Sequence, residues 1–139
     1  MSALRILVAD DDQTTCLLMQ AALAKGGLAV ELAHDGEEAL AAFERAPFDM
    51  VMLDVDMPRM NGFAACAALR RRWGDELPIV MVTGMDDIAS IEAAFEAGAT
   101  DFISKPIPWL LLAHRVRYVL RATQAAAALR VANARNAAM

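Results

Sequence analysis

The stretch Asp49-Met50-Val51-Met52-Leu53-Asp54 is a short apolar run that follows one carboxylate and ends at another. An uninterrupted apolar run of this length predicts a strand that is buried on both faces, as is typical of parallel sheets. Four other short segments are also predicted to be strands. They cover residues 4–9, 29–33, 78–82 and 101–103.

Segments of helical composition separate the predicted strands. They cover residues 14–25, 37–45, 63–73 and 87–97, with Asp87 as the cap of the fourth, and a long helix runs from about Trp109 past Ala128. Strict alternation of strands and helices predicts a parallel sheet with helices on both faces and right-handed crossovers. We therefore expect an α/β fold whose doubly wound, five-stranded parallel sheet has the order 2-1-3-4-5, with an extended C-terminal helix.

Composition and charge argue against several classes of protein. The longest apolar runs of the 139 residues, 79–82 and 107–113, span four and seven residues, far below the roughly 18–20 needed to cross a membrane. Residues 1–106 contain 18 acidic and eight basic residues, which argues against nucleic-acid binding by this domain. Cys16 and Cys66 lack the spacing of a disulfide framework or a metal site, so we expect reduced thiols in a cytoplasmic protein.

Polar side chains follow the predicted strands at the edge where parallel strands end. Ligand sites of doubly wound sheets lie outside this edge, and strands one and three are neighbours there. We therefore expect carboxylates from these two strands to converge, and they would repel one another unless a cation joined them. A few hard oxygen ligands favour Mg²⁺, with Mn²⁺ as a substitute. The residues concerned are Asp10, Asp11 and Asp12 after strand one, Asp54 after strand three, Thr83 and Gly84 after strand four, and Lys105 after strand five.

This combination of groups is suited to phosphoryl chemistry. Asp54 is a candidate nucleophile towards phosphorus, which would make an acyl phosphate. The Thr83 hydroxyl and the backbone N–H groups of Val55 and Gly84 are candidate donors to the phosphoryl oxygens. Lys105 offers a single ammonium for an anion. Asp12 directly precedes a predicted helix, so we expect it to be a helix cap.

Four separated stretches of the chain resemble the receiver domain of two-component response regulators. The resemblance covers about residues 4–122 and implies a flavodoxin-like fold. The stretches are Ile6-Leu7-Val8-Ala9-Asp10-Asp11, Met52-Leu53-Asp54-Val55-Asp56-Met57-Pro58-Arg59-Met60-Asn61-Gly62, Ile79-Val80-Met81-Val82-Thr83-Gly84 and Gly98-Ala99-Thr100-Asp101-Phe102-Ile103-Ser104-Lys105-Pro106.

The resemblance implies a role for each site residue. Asp54 would be the phosphoacceptor, and Thr83 and Lys105 would contact the phosphoryl group. Mg²⁺ would be bound by the side chains of Asp11 and Asp54, by the backbone carbonyl of Asp56, and by Asp10 through water. Phe102 would be the switch aromatic beside Thr83, and the Lys105–Pro106 peptide bond would be cis.

The resemblance also implies partners and a domain division. The phosphodonor would be a phosphohistidine on a histidine kinase or phosphotransfer protein, and the domain itself would not be an enzyme. Residues 1–122 would form the receiver and residues 123–139 a helical linker or tail leading to an output domain. Residues 106–123 look like receivers joined to diguanylate cyclase or related output domains.

The signal would leave through the fourth helix, fifth strand and fifth helix, a face that also offers a homodimer interface. In the fourth helix, Ile88, Ile91 and Phe95 lie at helical spacing. We expect Ile91 and Phe95 to be core residues.

Two other functions compete with a phosphoacceptor. The Asp54-Val55-Asp56 spacing also fits the motif of haloacid dehalogenase phosphatases, although it follows the third strand rather than opening the chain. The second alternative is a binding module with a receiver fold that no longer accepts phosphate. The presence of every expected acid, together with Thr83 and Lys105, argues against it.

Overall fold

The computed structural model describes residues 4–84 and 88–138. Its strands are β1 (Arg5–Ala9), β2 (Ala29–Ala33), β3 (Met50–Asp54), β4 (Ile79–Thr83) and β5 (Asp101–Ser104). Its helices are α1 (Gln13–Lys25), α2 (Gly36–Arg45), α3 (Gly62–Trp73), α4 (Ile88–Glu96) and α5 (Leu112–Ala138). These elements confirm the predicted alternation, and the last helix begins at Leu112 rather than near Trp109. The capping role expected of Asp87 lies outside the described residues.

The five strands form one sheet in the order β2-β1-β3-β4-β5, with every neighbouring pair parallel. This confirms the predicted fold. In the register of the sheet, Ala9 lies opposite Leu53, Asp54 opposite Val82, and Thr83 opposite Ser104. The residues that follow β1 and β5 therefore lie beside the ends of β3 and β4, where the candidate site was expected.

Two hydrophobic cores cover the two faces of the sheet, because successive strand residues point to opposite faces. One core lies between the sheet and helices α2, α3 and α4, and the other lies under α1 and α5. The first contains Leu7, Val51, Leu53, Ile79 and Met81 from the strands. The second contains Ile6, Val8, Met50, Met52, Val80, Val82 and Ile103.

Helix α5 packs on the sheet through Leu112, Val116 and Leu120 and continues to Ala138 without a break at residue 122. Beyond residue 122, Arg130 of α5 forms an ion pair of 3.0 Å with Glu76, which lies in the segment before β4. The division into residues 1–122 and 123–139 stays a prediction. No helix in the described part of the chain is both long and apolar enough to cross a membrane.

Helix α4 presents a different face to the core than the sequence predicted. Phe95 is 48% exposed and Ile88 is 75% exposed, whereas Ala94 is fully buried and Ile91 is half-buried. Successive helix residues are rotated by about 100°, so burial of Ala94 directs the adjacent Phe95 away from the sheet. The prediction of Phe95 as a core residue was therefore wrong.

Candidate functional site

Strands β1 and β3 bring three carboxylates together at the carboxyl edge of the sheet. Asp10 and Asp54 are buried and Asp11 is exposed. One oxygen from each of these three side chains lies within 4.8 Å of the others. One Asp10 oxygen also accepts a hydrogen bond of 2.9 Å from the Asp12 N–H, which holds that carboxylate in place. The structure thus brings Asp10, Asp11 and Asp54 together.

Lys105 brings one positive charge to this cluster from the end of β5. Its backbone N–H donates to the Thr83 carbonyl at 2.7 Å, which fixes the start of its side chain. Its Nζ lies 3.3 Å from Oδ2 of Asp10 and 3.6 Å from Oδ1 of Asp54. One ammonium cannot neutralise three carboxylates, so the cluster retains negative charge.

Burial and charge shift the protonation equilibria of the cluster. Burial, together with repulsion from the neighbouring Asp10, raises the pKa of the Asp54 carboxyl to about 6 against the opposing effect of Lys105. Loss of hydration alone would lower the pKa of Lys105, but Asp54 and Asp10 outweigh it and raise that pKa. The ammonium therefore stays charged, while Asp54 is a more basic carboxylate than an exposed aspartate.

The donor set fits a hard divalent cation. Three carboxylates within reach of one point supply oxygen ligands only, and the exposure of Asp11 leaves one side of the cluster open to water. Mg²⁺ prefers such sites, because it is held by a few carboxylates and keeps several water ligands. Asp56 lies two residues after Asp54 in the loop between β3 and α3, with its side chain exposed.

The two backbone N–H groups proposed as phosphoryl donors differ in their environments. The Val55 N–H donates to the Val82 carbonyl at 3.2 Å and so continues the hydrogen bonding between β3 and β4. A contact with a phosphoryl group would require this hydrogen bond to be shared or exchanged, and the role expected of the Val55 N–H stays a prediction. Gly84 is exposed, and a Cβ atom built on it would have no atom within 4 Å. Its backbone is therefore accessible, although packing does not require a glycine there.

The residues expected to switch lie on the neighbouring strands β4 and β5. Thr83 is fully buried at the end of β4, and Phe102 is half-buried against the core under α2, α3 and α4. The Phe102 carbonyl accepts a hydrogen bond of 2.9 Å from Arg115, whose side chain also pairs with Asp101. The Lys105–Pro106 peptide bond is cis.

The start of α3 contains a supporting residue that sequence reasoning missed. The Gly62 N–H donates to the Val55 carbonyl at 2.9 Å, and a Cβ on Gly62 would lie 2.2 Å from the Asp54 carbonyl oxygen. Only glycine fits this approach, so Gly62 determines where the backbone of Asp54 lies. The signal in the sequence was Asn61-Gly62, directly before the predicted helix 63–73. Asn61 caps α3 by accepting a hydrogen bond from the Ala64 N–H.

Asp12 has the structural role that was predicted for it. Its carboxylate accepts hydrogen bonds from the N–H and the hydroxyl of Thr15 and caps α1. It therefore does not join the cluster formed by the two preceding aspartates.

Comparison with known proteins assigns the chain to a family. Residues 6–117 match the family model described as the response regulator receiver domain. The chain belongs to this family. A receiver domain accounts for the Asp54-Val55-Asp56 spacing, so the haloacid dehalogenase interpretation loses its support.

Curated relatives and solved structures agree with the assignment. The receiver domain is 41% identical over 122 residues to the response regulator MprA of Mycobacterium tuberculosis, a match that covers 88% of this chain and 53% of that protein. The chain thus spans about half the length of the curated relatives that it matches.

Two solved structures resemble the receiver domain over almost their full length. A CheY-like receiver domain from Methanospirillum hungatei superposes with a TM-score of 0.82 at 27% identity, covering 88% of this chain and 98% of the other. A putative response regulator from Chloroflexus aurantiacus superposes with a TM-score of 0.81 at 34% identity, covering 86% and 99%.

Proposed function

We propose that this domain is a phosphoacceptor that takes a phosphoryl group from a phosphohistidine onto Asp54. The donor would be a histidine kinase or a phosphotransfer protein. The observation that supports this most directly is the position of Asp54, which lies 3.6 Å from the Lys105 ammonium and in one cluster with the Asp10 and Asp11 carboxylates. Membership of the receiver family supports the same function.

In the proposed transfer, a carboxylate oxygen of Asp54 attacks the phosphorus of the donor. The new O–P bond forms as the P–N bond breaks, and the electron pair of the P–N bond returns to the imidazole nitrogen. Asp54 must be ionised to attack, and its pKa of about 6 keeps it mostly ionised at neutral pH. Lys105, the Thr83 hydroxyl and the N–H groups of Val55 and Gly84 are the donors proposed for the phosphoryl oxygens.

The proposed cofactor is Mg²⁺, with Mn²⁺ as a substitute. Asp11 and Asp54 would bind it through their side chains, Asp56 through its carbonyl, and Asp10 through water. When bound, the ion would offset the negative charge of the cluster and of the incoming phosphoryl oxygens. Asp10 would keep its hydrogen bond from Asp12, which orients it for this role.

The proposed output is a change in the face formed by α4, β5 and α5. Thr83 would move towards the phosphoryl group and Phe102 would turn inward, because new charge-assisted hydrogen bonds favour that arrangement. Ile88, Phe95 and Tyr118 are exposed apolar side chains on α4 and α5. They would contribute to a homodimer or to a contact with an output domain.

Residues 123–139 are proposed to link the receiver to an output domain in a longer chain. Support comes from the uninterrupted helix α5 and from relatives of which this chain spans about half. A diguanylate cyclase output and a cytoplasmic location stay predictions.

Phosphorylation by a small phosphodonor such as acetyl phosphate tests the proposed function. With Mg²⁺, intact-mass spectrometry should detect one added phosphoryl group on the wild-type chain and none on Asp54→Asn. Asp12→Asn is the matched control, since it changes a neighbouring acid outside the cluster and asparagine still caps a helix. No phosphorylation of the wild type would favour the binding module, and an equally modified Asp54→Asn chain would exclude Asp54 as the acceptor.

A further inference from the structure

The loop between β3 and α3, residues 55–61, carries the proposed backbone ligand Asp56. Its first residue is held by the sheet, because the Val55 N–H donates to Val82. Its end is held by the hydrogen bond from Gly62 back to Val55, and Met57 is buried in the core. The turn formed by residues 58–60 lies beyond these attachments and contacts helix α2 instead.

An ion pair joins this turn to the start of α2. Arg59 donates from Nε to Oδ2 of Asp35 at 2.8 Å, and its second donor contacts the same oxygen. Asp35 is buried, and its other oxygen caps α2 by accepting from the Glu38 N–H at 2.8 Å. Arg59 also lies 3.9 Å from the carboxylates of Glu37 and Glu38. Both oxygens of Asp35 therefore have donors, and the arginine faces three acids.

A backbone contact reinforces this attachment. The Gly36 N–H, at the first residue of α2, donates to the Met60 carbonyl at 3.1 Å. A Cβ atom on Gly36 would lie 2.6 Å from that same carbonyl oxygen. Helix α2 and the turn are therefore in contact through backbone as well as side chains.

Arg59 has an unfavourable backbone conformation in this turn. Its φ is 64°, in the left-handed region, where the Cβ of an L-residue is crowded by the backbone. Such conformations persist when surrounding interactions hold them, and they are common at functional sites. A hydrogen bond of 2.7 Å from the Met60 N–H to the Pro58 carbonyl closes the turn around Arg59, and the contacts of Arg59 with Asp35 add to it.

We propose that the Arg59–Asp35 ion pair is a positioning device that holds the loop so that the Asp56 carbonyl faces the proposed Mg²⁺ site. This inference rests on the proposed function, since it assigns a role towards the same ion. An exposed ion pair usually contributes little. This pair differs because Asp35 is buried and accepts hydrogen bonds from two Arg59 donors. In addition, Arg59 has a positive φ and lies in the loop that carries Asp56.

Calorimetric titration with Mg²⁺ tests the proposal in variants that separate the ion pair from the loop itself. Arg59→Gly removes the side chain and relieves the positive φ. Asp35→Asn leaves the loop sequence unchanged and keeps a helix-capping residue, but removes the charge. Arg59→Lys keeps a charge without the planar fork. Arg72→Ala is the matched control, because Arg72 pairs with Glu44 and so also joins α3 to α2, away from the loop.

Arg59→Gly and Asp35→Asn should each weaken Mg²⁺ binding about fivefold. The expected loss is smaller than the roughly 10–100-fold loss seen when a residue bonded directly to a metal ligand is removed. Arg59 does not contact Asp56, because two residues separate them in the chain. Arg59→Lys should recover part of the affinity, and Arg72→Ala should bind like the wild type. Each variant should be titrated under conditions where its ion-free form is fully folded. A lower apparent affinity then reflects weaker binding and not partial unfolding.

The outcomes separate this inference from the proposed function. If the wild type binds Mg²⁺ and is phosphorylated while Arg59→Gly and Asp35→Asn bind the ion equally well, only the positioning role is overturned. If Arg72→Ala weakens binding as much as Arg59→Gly, the effect is general and the positioning role is again overturned. A wild type that neither binds Mg²⁺ nor accepts a phosphoryl group overturns the proposed function itself. Should Arg59→Gly fail to fold, Asp35→Asn and Arg59→Lys decide the question.

Discussion

The Nζ atom of Lys105 lies 3.6 Å from Oδ1 of Asp54, although the two residues are 51 positions apart in the chain. This pair joins the end of β5 to the end of β3 across β4. Asp54 is buried, and Asp10 lies 3.3 Å from the same ammonium. Three effects therefore set the pKa of Asp54. Loss of hydration and repulsion from Asp10 raise it, and attraction to Lys105 lowers it.

The first prediction concerns the effect of pH on the ion-free protein. Folding raises the pKa of Asp54 from 3.8 to about 6, so the folded state binds more protons than the unfolded state between these values. Stability should therefore fall as pH rises through this window. Asp54→Asn should be more stable than the wild type at pH 7 by about 1–2 kcal/mol, after discounting for solvent screening.

Urea unfolding in the presence of a chelator, at several pH values, measures this effect. The advantage of Asp54→Asn should shrink towards pH 4, where the wild-type carboxyl is protonated in the folded state. Glu92→Gln removes an exposed carboxylate from α4 and serves as the control, with no comparable gain. An Asp54→Asn chain that is less stable than the wild type at pH 7 would contradict the assigned electrostatics.

The second prediction separates the two acids that follow Asp10. Asp11 lies in the carboxylate cluster, whereas Asp12 caps α1 through Thr15. Asp11→Ala should weaken Mg²⁺ binding at least tenfold with little change in the unfolding free energy. Asp12→Ala should leave Mg²⁺ binding nearly unchanged and cost about 1 kcal/mol, the usual loss for a helix cap. Calorimetry and chemical unfolding of both variants check the contrast, and equal losses of affinity would contradict the ligand assignment.

The third prediction concerns Lys105. Its side chain is about one-third exposed and contacts Asp10 and Asp54, so Lys105→Ala should fold, with lower stability at neutral pH because two buried carboxylates lose their ammonium. Asp54 should still accept a phosphoryl group, but α4 and β5 should no longer respond to it. Hydrogen–deuterium exchange of these elements, with and without phosphodonor, measures the response. A variant that cannot fold would show that Lys105 is mainly structural.

The sheet and most of the cluster were predictable, because short apolar runs that end in polar residues determine both the strands and their edge. The hydrogen bond from the Val55 N–H to Val82 was not predictable in this way. Whether its N–H is available depends on where hydrogen bonding between β3 and β4 stops, and the sequence pattern does not mark that point. The exposure of Phe95 depends on the rotation of a helix only nine residues long.

Other supporting residues required tertiary structure. Asp35 and Arg59 are 24 residues apart, and the sequence around Asp35 indicated only the start of a helix. The same holds for Gly62, whose importance comes from contact with the backbone of β3. Residues proposed to carry the chemistry were recognisable by type and position after a strand, whereas the residues that contact the surrounding backbone and loop were not.

The fourth prediction compares two glycines at the edge of the site. A Cβ on Gly62 would lie 2.2 Å from the Asp54 carbonyl oxygen and 2.8 Å from Cε of Met81, whereas a Cβ on Gly84 would have no atom within 4 Å. Gly62→Ala should therefore displace the Asp54 backbone and cost about 1–3 kcal/mol, as overpacking usually does. Gly84→Ala should change the unfolding free energy by less than about 0.5 kcal/mol.

Urea unfolding of both variants measures the effect on stability, and phosphorylation by acetyl phosphate measures the effect on the reactivity of Asp54. Gly62→Ala should also accept the phosphoryl group more slowly than the wild type under conditions where it is fully folded, because the nucleophile moves with the backbone to which it is attached. Equal stability of the two alanine variants would mean that α3 can move away from β3 at little cost. In that case Gly62 would not determine where Asp54 lies.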